Sequence, residues 1–281
     1  MAKKKPKTTK SRPSAHPIAD RIKPAKALVG GGGTYSFYGR SGTGKTTLAS
    51  TFPKPVLVLD INEEGHDSVS DVEGVYYIQI TEWDDIEAVY WYLAEGDHGI
   101  QTVVIDTVTA MQELGMVKVK IDDGREPDDD MSKRLWGNLS TLMKQWLMAY
   151  RNLSREQGMH VVFLSQDRVE DVDEDDEGYD ELDPQVGPAV TPSVAKALNA
   201  MVKVIGQTYI REVTVQTKSG KVKTKTEYRL RLGPHPYYIT KIRSPRSYKV
   251  PASIKDPTFE KIQTIITGGA TTDGEEEGQE D

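Results

Sequence analysis

Gly39, Gly44, Lys45 and Thr46 fall at the fixed positions of G-x-x-x-x-G-K-[ST] within YGRSGTGKTT at residues 38–47. That spacing suits one task, the wrapping of a phosphate chain. The glycines let the loop fold back so that successive backbone N–H groups of Gly39, Arg40, Ser41, Gly42, Thr43, Gly44, Lys45, Thr46 and Thr47 point inward at an anion. Lys45 would reach the β- and γ-phosphates, and the Thr46 hydroxyl would hold Mg²⁺. The flanks fit, since TYSF before the loop is β-prone and TTLAST after it starts a helix. The expected ligand is a nucleoside triphosphate, with ATP and Mg²⁺ as the cofactors. Kinases, GTPases, motors and recombinases all use such a loop, so it leaves the reaction class open.

Other residues narrow the class. TVVIDTVT is an apolar strand that ends in Asp106, placed to hold the Mg²⁺ water shell opposite Thr46. Between the loop strand and Asp106 lie two strand-like segments, and a later strand, VVFLSQDR, ends in Gln166. If that later strand is inserted between the other two, Gln166 stands beside the γ-phosphate at the carboxyl edge of the sheet, where ligands bind in open α/β folds. A neutral amide there can bond the γ-phosphate and let go when it leaves. VLVLD continues as INEEGH, so Glu63 and Glu64 are candidates to orient and deprotonate an attacking water, with Asp60 at the strand end. In YYITKIRSPR, Lys241 and Arg243 are two apart and would share one face of a strand. They could reach a neighbouring subunit's γ-phosphate, as arginine fingers do.

The elements that must carry these residues alternate between strand and helix, the pattern of a mainly parallel α/β sheet with crossover helices. Strands are expected near 35–38, 56–60, 76–80, 102–106, 161–165 and 202–206, and helices near 45–51, 84–95, 107–120, 132–157 and 192–200. Thr191 would cap the last helix, with Pro192 at its first position. Along 132–157, Leu135, Leu139, Leu142, Met143, Trp146, Leu147, Tyr150 and Leu153 recur at helical spacing, which reads as a core stripe rather than a base-stacking surface. From 208 to 232 the alternation predicts a C-terminal β-hairpin turning at KSGK.

The 281 residues carry a net charge of −7, but the charge is segregated. Residues 1–26 hold nine Lys/Arg against one Asp, residues 170–183 hold ten acids and no base, and 268–281 hold six acids. The expected organisation is a disordered basic arm at 1–26, a near-neutral core at 27–267 and a disordered acidic tail at 268–281. The absence of cysteine excludes thiol catalysis and Cys-ligated zinc. No apolar run approaches 18 residues, so a soluble, cytoplasmic protein without membrane contact is expected.

The order GRSGTGKTT, VLVLDINEEG, TVVIDTVT, VVFLSQDR and KIR resembles RecA-like ATPases over residues 34–245. It looks closest to the small phage-encoded members that are little more than the ATPase core and are associated with recombination and single-strand annealing. The resemblance implies a homo-oligomer with ATP at subunit interfaces and single-stranded DNA as partner. It also departs from the family. The usual strand-end acid sits where this chain has Asn62, and the segments matching the two DNA loops, IDDGREPDDD at 121–130 and the acidic run at 170–183, would repel phosphates. DNA is therefore expected on the basic arm or on the hairpin lysines Lys218, Lys221, Lys223 and Lys225. Two other readings stay open at this point: a P-loop kinase of a small molecule, and an ATP-dependent scaffold or loader for a replication protein.

Overall fold

β1 (Thr34–Tyr38) and α1 (Lys45–Ser50) flank the glycine-rich loop in the computed structural model, which describes residues 31–61, 69–170, 185–216, 222–245 and 248–269. There follow β2 (Val56–Ile61), β3 (Val75–Ile80), α2 (Trp83–Glu95), β4 (Thr102–Asp106), α3 (Val108–Asp122), α4 (Lys133–Glu156) and β5 (His160–Ser165). Next come β6 (Asp167–Glu170), β7 (Gln185–Pro188), α5 (Pro192–Met201), β8 (Val204–Gln216), β9 (Val222–Arg231), β10 (Lys241–Ile242), β11 (Ser253–Lys255) and α6 (Phe259–Thr267).

The main sheet runs β11-β9-β8-β1-β5-β4-β2-β3, with β10 added on β8. From β3 to β8 every neighbouring pair is parallel; β9, β10 and β11 add antiparallel pairings. This is the expected α/β sheet, mostly parallel and flanked by helices. The strand that ends at Ser165, just before Gln166, does insert between β1 and β4. β1, β4 and nearly all of β5 are buried, as expected for parallel strands covered on both faces. One face packs Val103, Ile105, Val161 and Phe163 against α2 to α5. The other packs Tyr35, Phe37, Val104 and Val162 against Leu48 and Phe52 at α1 and Ile262, Ile265 and Ile266 of α6.

The stripe of α4 lies in the core. Leu135, Leu139, Met143, Trp146, Leu147, Tyr150 and Leu153 are buried and Leu142 is partly so. The Tyr150 hydroxyl donates to the Ile86 carbonyl at 2.7 Å. α3 comes close enough to α4 that a Cβ on Gly115 would stand 2.9 Å from Leu139 Cδ1.

Three details differ from expectation. The strand near 202–206 and the first arm of the hairpin are one strand, the 13-residue β8. Gly206 reads as a strand end, but here it admits a close cross-strand neighbour, since its Cβ would lie 2.7 Å from Leu230 Cδ1. The KSGK turn, the basic arm 1–26 and all but the first two residues of the acidic tail lie outside the described residues. Thr191 is the N-cap of α5, yet its side chain makes no cap bond; its backbone N–H donates to Gln112 Oε1 at 2.8 Å. The short β6–β7 ribbon and α6 were not expected at all. Among the described residues no helix is long and apolar enough to cross a membrane.

His160 opens β5 with its ring against Tyr35, Phe52 and Phe259. Burial, with Lys203 adding repulsion, pushes its pKa from 6.5 down to about 4. Between these values the unfolded chain binds the proton and the folded chain does not, so this contribution to stability is full above pH 6.5 and declines as pH falls toward 4. Urea midpoints measured across that window should fall more steeply for the wild type than for His160→Phe. Parallel loss in both would place the acid sensitivity elsewhere.

Candidate functional site

The loop between β1 and α1 is held from both sides. Gly42 and Gly44 take φ of 78° and 85°, left-handed values that suit glycine, and Gly44 is the residue from which α1 starts. Gly39 is required by proximity instead. A Cβ there would stand 2.4 Å from the Thr208 carbonyl oxygen on β8. Thr43 Oγ1 donates to the Arg40 carbonyl at 2.8 Å and lies 2.7 Å from Thr208 Oγ1, while Thr208 Oγ1 donates to the Tyr38 carbonyl at 3.2 Å. Lys45 is folded into this turn. Its Nζ donates to the carbonyls of Gly39 at 2.8 Å and Arg40 at 3.0 Å.

Thr46 Oγ1 donates to Asp106 Oδ2 at 2.8 Å. Both are hard oxygen donors of the kind Mg²⁺ takes, so Thr46 would hold the ion directly and Asp106 would hold it directly or through its water. Among the described residues no three His, Asp or Glu side chains converge, so a metal here would take its remaining ligands from phosphate and water. Asp60 faces Asp106 in register across β2 and β4, and both are buried. The Tyr77 hydroxyl senses the two carboxylates. Its pKa is pushed up to about 12, by burial first and then by Asp106 and Asp60.

Gln166 follows β5 directly, and its Oε1 lies 3.4 Å from Lys45 Nζ. Its backbone N–H donates to Thr109 Oγ1 in the first turn of α3 at 3.1 Å, and its carbonyl accepts from Ala189 N–H just past β7 at 2.8 Å. The fold thus gathers Gly39 to Thr47, Asp60, Asp106 and Gln166 at one edge of the sheet. Glu63 and Glu64 lie outside the described residues.

Lys241 and Arg243 are not part of that gathering. β10 pairs Ile242 with Val204, which is level with Tyr35, so β10 sits at the amino end of β1. That is about 10 Å of strand away from the loop. Lys241 is further committed, donating to the last carbonyls of α5 at Asn199 (2.7 Å) and Ala200 (3.2 Å). Arg243 is exposed beside Lys203. Burial first, then the nearby Arg243 charge, lowers the pKa of both Lys203 and Lys241.

The sequence reading missed Thr208, Thr109 and Tyr38. Single hydroxyls in strands and first turns carry no spacing signal, and only pairing across the sheet brings them to the loop. Lys45→Ala should abolish ATP hydrolysis with a thermal midpoint close to wild type. Asp106→Asn should depress Mg²⁺-dependent turnover more than nucleotide binding. An ATPase assay beside equilibrium binding checks both, and near-wild-type turnover in Lys45→Ala would refute the site.

A family model described as AAA domain matches residues 33–244, from the start of β1 to just past β10. No curated protein matches the chain. The match spans most of the chain and contains every described residue of the site; the protein belongs to this AAA-domain family of P-loop ATPase-type proteins.

Proposed function

We propose that the chain hydrolyses ATP as a RecA-like core acting in DNA recombination, repair or single-strand annealing, as a homo-oligomer with nucleotide at its subunit interfaces. The observation that carries this reading is the approach of Gln166 to Lys45 at 3.4 Å, from a strand inserted between the loop strand and the Asp106 strand. The reading takes this amide, so close to Lys45, as the group that meets the terminal phosphate.

In this reading the loop N–H groups and Lys45 hold the phosphates, while Thr46 and Asp106 hold Mg²⁺. The ion, when bound, supplies charge neutralisation on the β- and γ-phosphates. Glu63 or Glu64 orients the attacking water and takes its proton. Gln166 bonds the γ-phosphate. Because its carbonyl is tied to Ala189 beyond β7, loss of that phosphate is felt by the β6–β7 ribbon.

Arg243 serves a neighbouring copy. It sits at the edge of the sheet opposite its own loop, in a cluster with Lys203 and Lys241 that makes no salt bridge to a carboxylate among the described residues. Single-stranded DNA would follow the basic arm or the hairpin. On the hairpin, the exposed Arg211, Lys223 and Lys225 fall on one face of the β8–β9 ribbon, whereas Glu227 is taken up by Lys255 and Arg229. Such binding is electrostatic and salt-sensitive.

ATPase rates with and without single-stranded DNA test the reading, with stimulation expected. An absence of stimulation combined with phosphate transfer to a small acceptor would establish a kinase instead. Deleting residues 1–26 should weaken DNA binding and flatten its salt dependence. Unchanged affinity at low salt would move the surface to Lys223 and Lys225.

Arg243→Ala should cut hydrolysis by about 10³- to 10⁵-fold, the range of arginine fingers. Mixing it with Lys45→Ala should restore part of the activity, since each variant supplies the half-site that the other lacks. No rescue at any mixing ratio would refute action between copies.

A further inference from the structure

The hairpin presents two different faces. Beyond Gln207, β8 leaves β1 behind and continues with β9 past the carboxyl edge of the sheet, beside the phosphate loop. Side chains alternate along it. Thr208, Ile210, Glu212 and Thr214 lie on one face with Leu230, Tyr228, Thr226 and Thr224 opposite them. Thr208 is the residue that bonds Thr43 of the loop, so this face turns toward the loop and α1.

The next pair outward on that face is Ile210 and Tyr228. Both are large apolar side chains left exposed, Tyr228 at 44 % and Ile210 at 40 %. The Tyr228 ring stands over the loop itself, since a Cβ on Gly44 would be 3.3 Å from its Cδ1. A directly opposed aromatic and β-branched pair, half-exposed and abutting a phosphate-binding turn, is more than a strand needs for its own packing.

The direction of the bound triphosphate supplies the occupant. Asp106 and Gln166, which mark the metal and the terminal phosphate, belong to β4 and β5 on one side of β1. The hairpin rises from β8 on the other side. A triphosphate lying across the loop with its γ end toward β5 has its esterified end toward β8, and the sugar and base follow it. We infer that Tyr228, with Ile210 beside it, is the platform on which the nucleobase stacks. This rests on the nucleotide reading of the loop. A ring face accepts any base, so the platform adds affinity without choosing adenine over guanine.

Two measurements on the full chain test it. The first is the affinity of wild type, Tyr228→Ala and Tyr228→Phe for ATP and for inorganic tripolyphosphate, which has no base. Tyr228→Ala should weaken ATP binding about ten- to a hundredfold, the range of one lost base stack, and leave tripolyphosphate unchanged. Tyr228→Phe should bind both like wild type. The second is the fluorescence of 2-aminopurine riboside triphosphate at saturating protein, which should be quenched on wild type and on Tyr228→Phe but much less on Tyr228→Ala.

If Tyr228→Ala weakens ATP and tripolyphosphate equally, the ring only braces the loop and the platform is refuted. Undiminished quenching on Tyr228→Ala refutes it as well. Wild type that binds no ATP would overturn the nucleotide reading itself, and the platform with it.

Discussion

A buried ammonium sets the shape of the phosphate loop. Lys45 is only 7 % exposed, and a cation removed from water must find oxygen atoms nearby. It finds them in the loop's own backbone, at the carbonyls of Gly39 and Arg40. For those carbonyls to converge on one point the chain has to double back within a few residues, hence the left-handed Gly42 and Gly44. The same tight path presses Gly39 against β8, where no side chain would fit. The loop therefore cannot be built on β1 and α1 alone; β8 is its third wall, bonded to it through Thr208.

From that fixed point two connections lead outward. Gln166 joins the loop to β5 and, through Ala189, to the near end of the β6–β7 ribbon, where Asp167 pairs with Pro188. Tyr38, the residue just before Gly39, makes the second. Its buried hydroxyl lies 2.9 Å from both the Val186 carbonyl of β7 and the Ile239 carbonyl ahead of β10. One proton cannot serve two acceptors fully, so the hydroxyl shares between them. Burial keeps it protonated, raising its pKa above the ordinary tyrosine range. The ribbon is thus anchored to the loop strand on one side and to the Gln166 strand on the other. Gln166 and the loop strand each have a short covalent and hydrogen-bonded route to β7.

The parts of this arrangement that were legible in the sequence are those with a spacing rule. Continuous apolar runs announced β1, β4 and β5, and the i, i+3, i+4 leucines announced α4. The place of β5 between β1 and β4 was a condition of the RecA-like reading of Gln166, and chain order alone does not supply it. What escaped were contacts made by pairing alone. Nothing in VIGQTYI says that Thr208 will stand level with the loop, because that depends on the parallel register of β8 against β1. Gly206 misled the boundary of β8 because glycine for close approach and glycine for a strand end look alike in sequence. Lys241 and Arg243 were read as a pair on one face. The carbonyls at the end of α5 capture the first and leave the second outside, a partition visible only once α5 and β10 are packed.

That partition bears on assembly. The amino edge of the sheet gathers Lys203, Lys241 and Arg243, where burial first and then the Arg243 charge lower both lysine pKa values. Lys241 is quieted by helix carbonyls, whereas Arg243 stays exposed. The carboxyl edge gathers Asp60 and Asp106 around a loop made to receive a polyanion. A single copy keeps these two edges apart by the length of β1. Two copies stacked with unlike edges facing would bring them together. Such a contact is head-to-tail, and head-to-tail contacts close into rings or run on as filaments rather than stopping at two. The proposed service of Arg243 to a neighbouring copy would require a contact of that kind, since its own loop lies at the other end of the sheet.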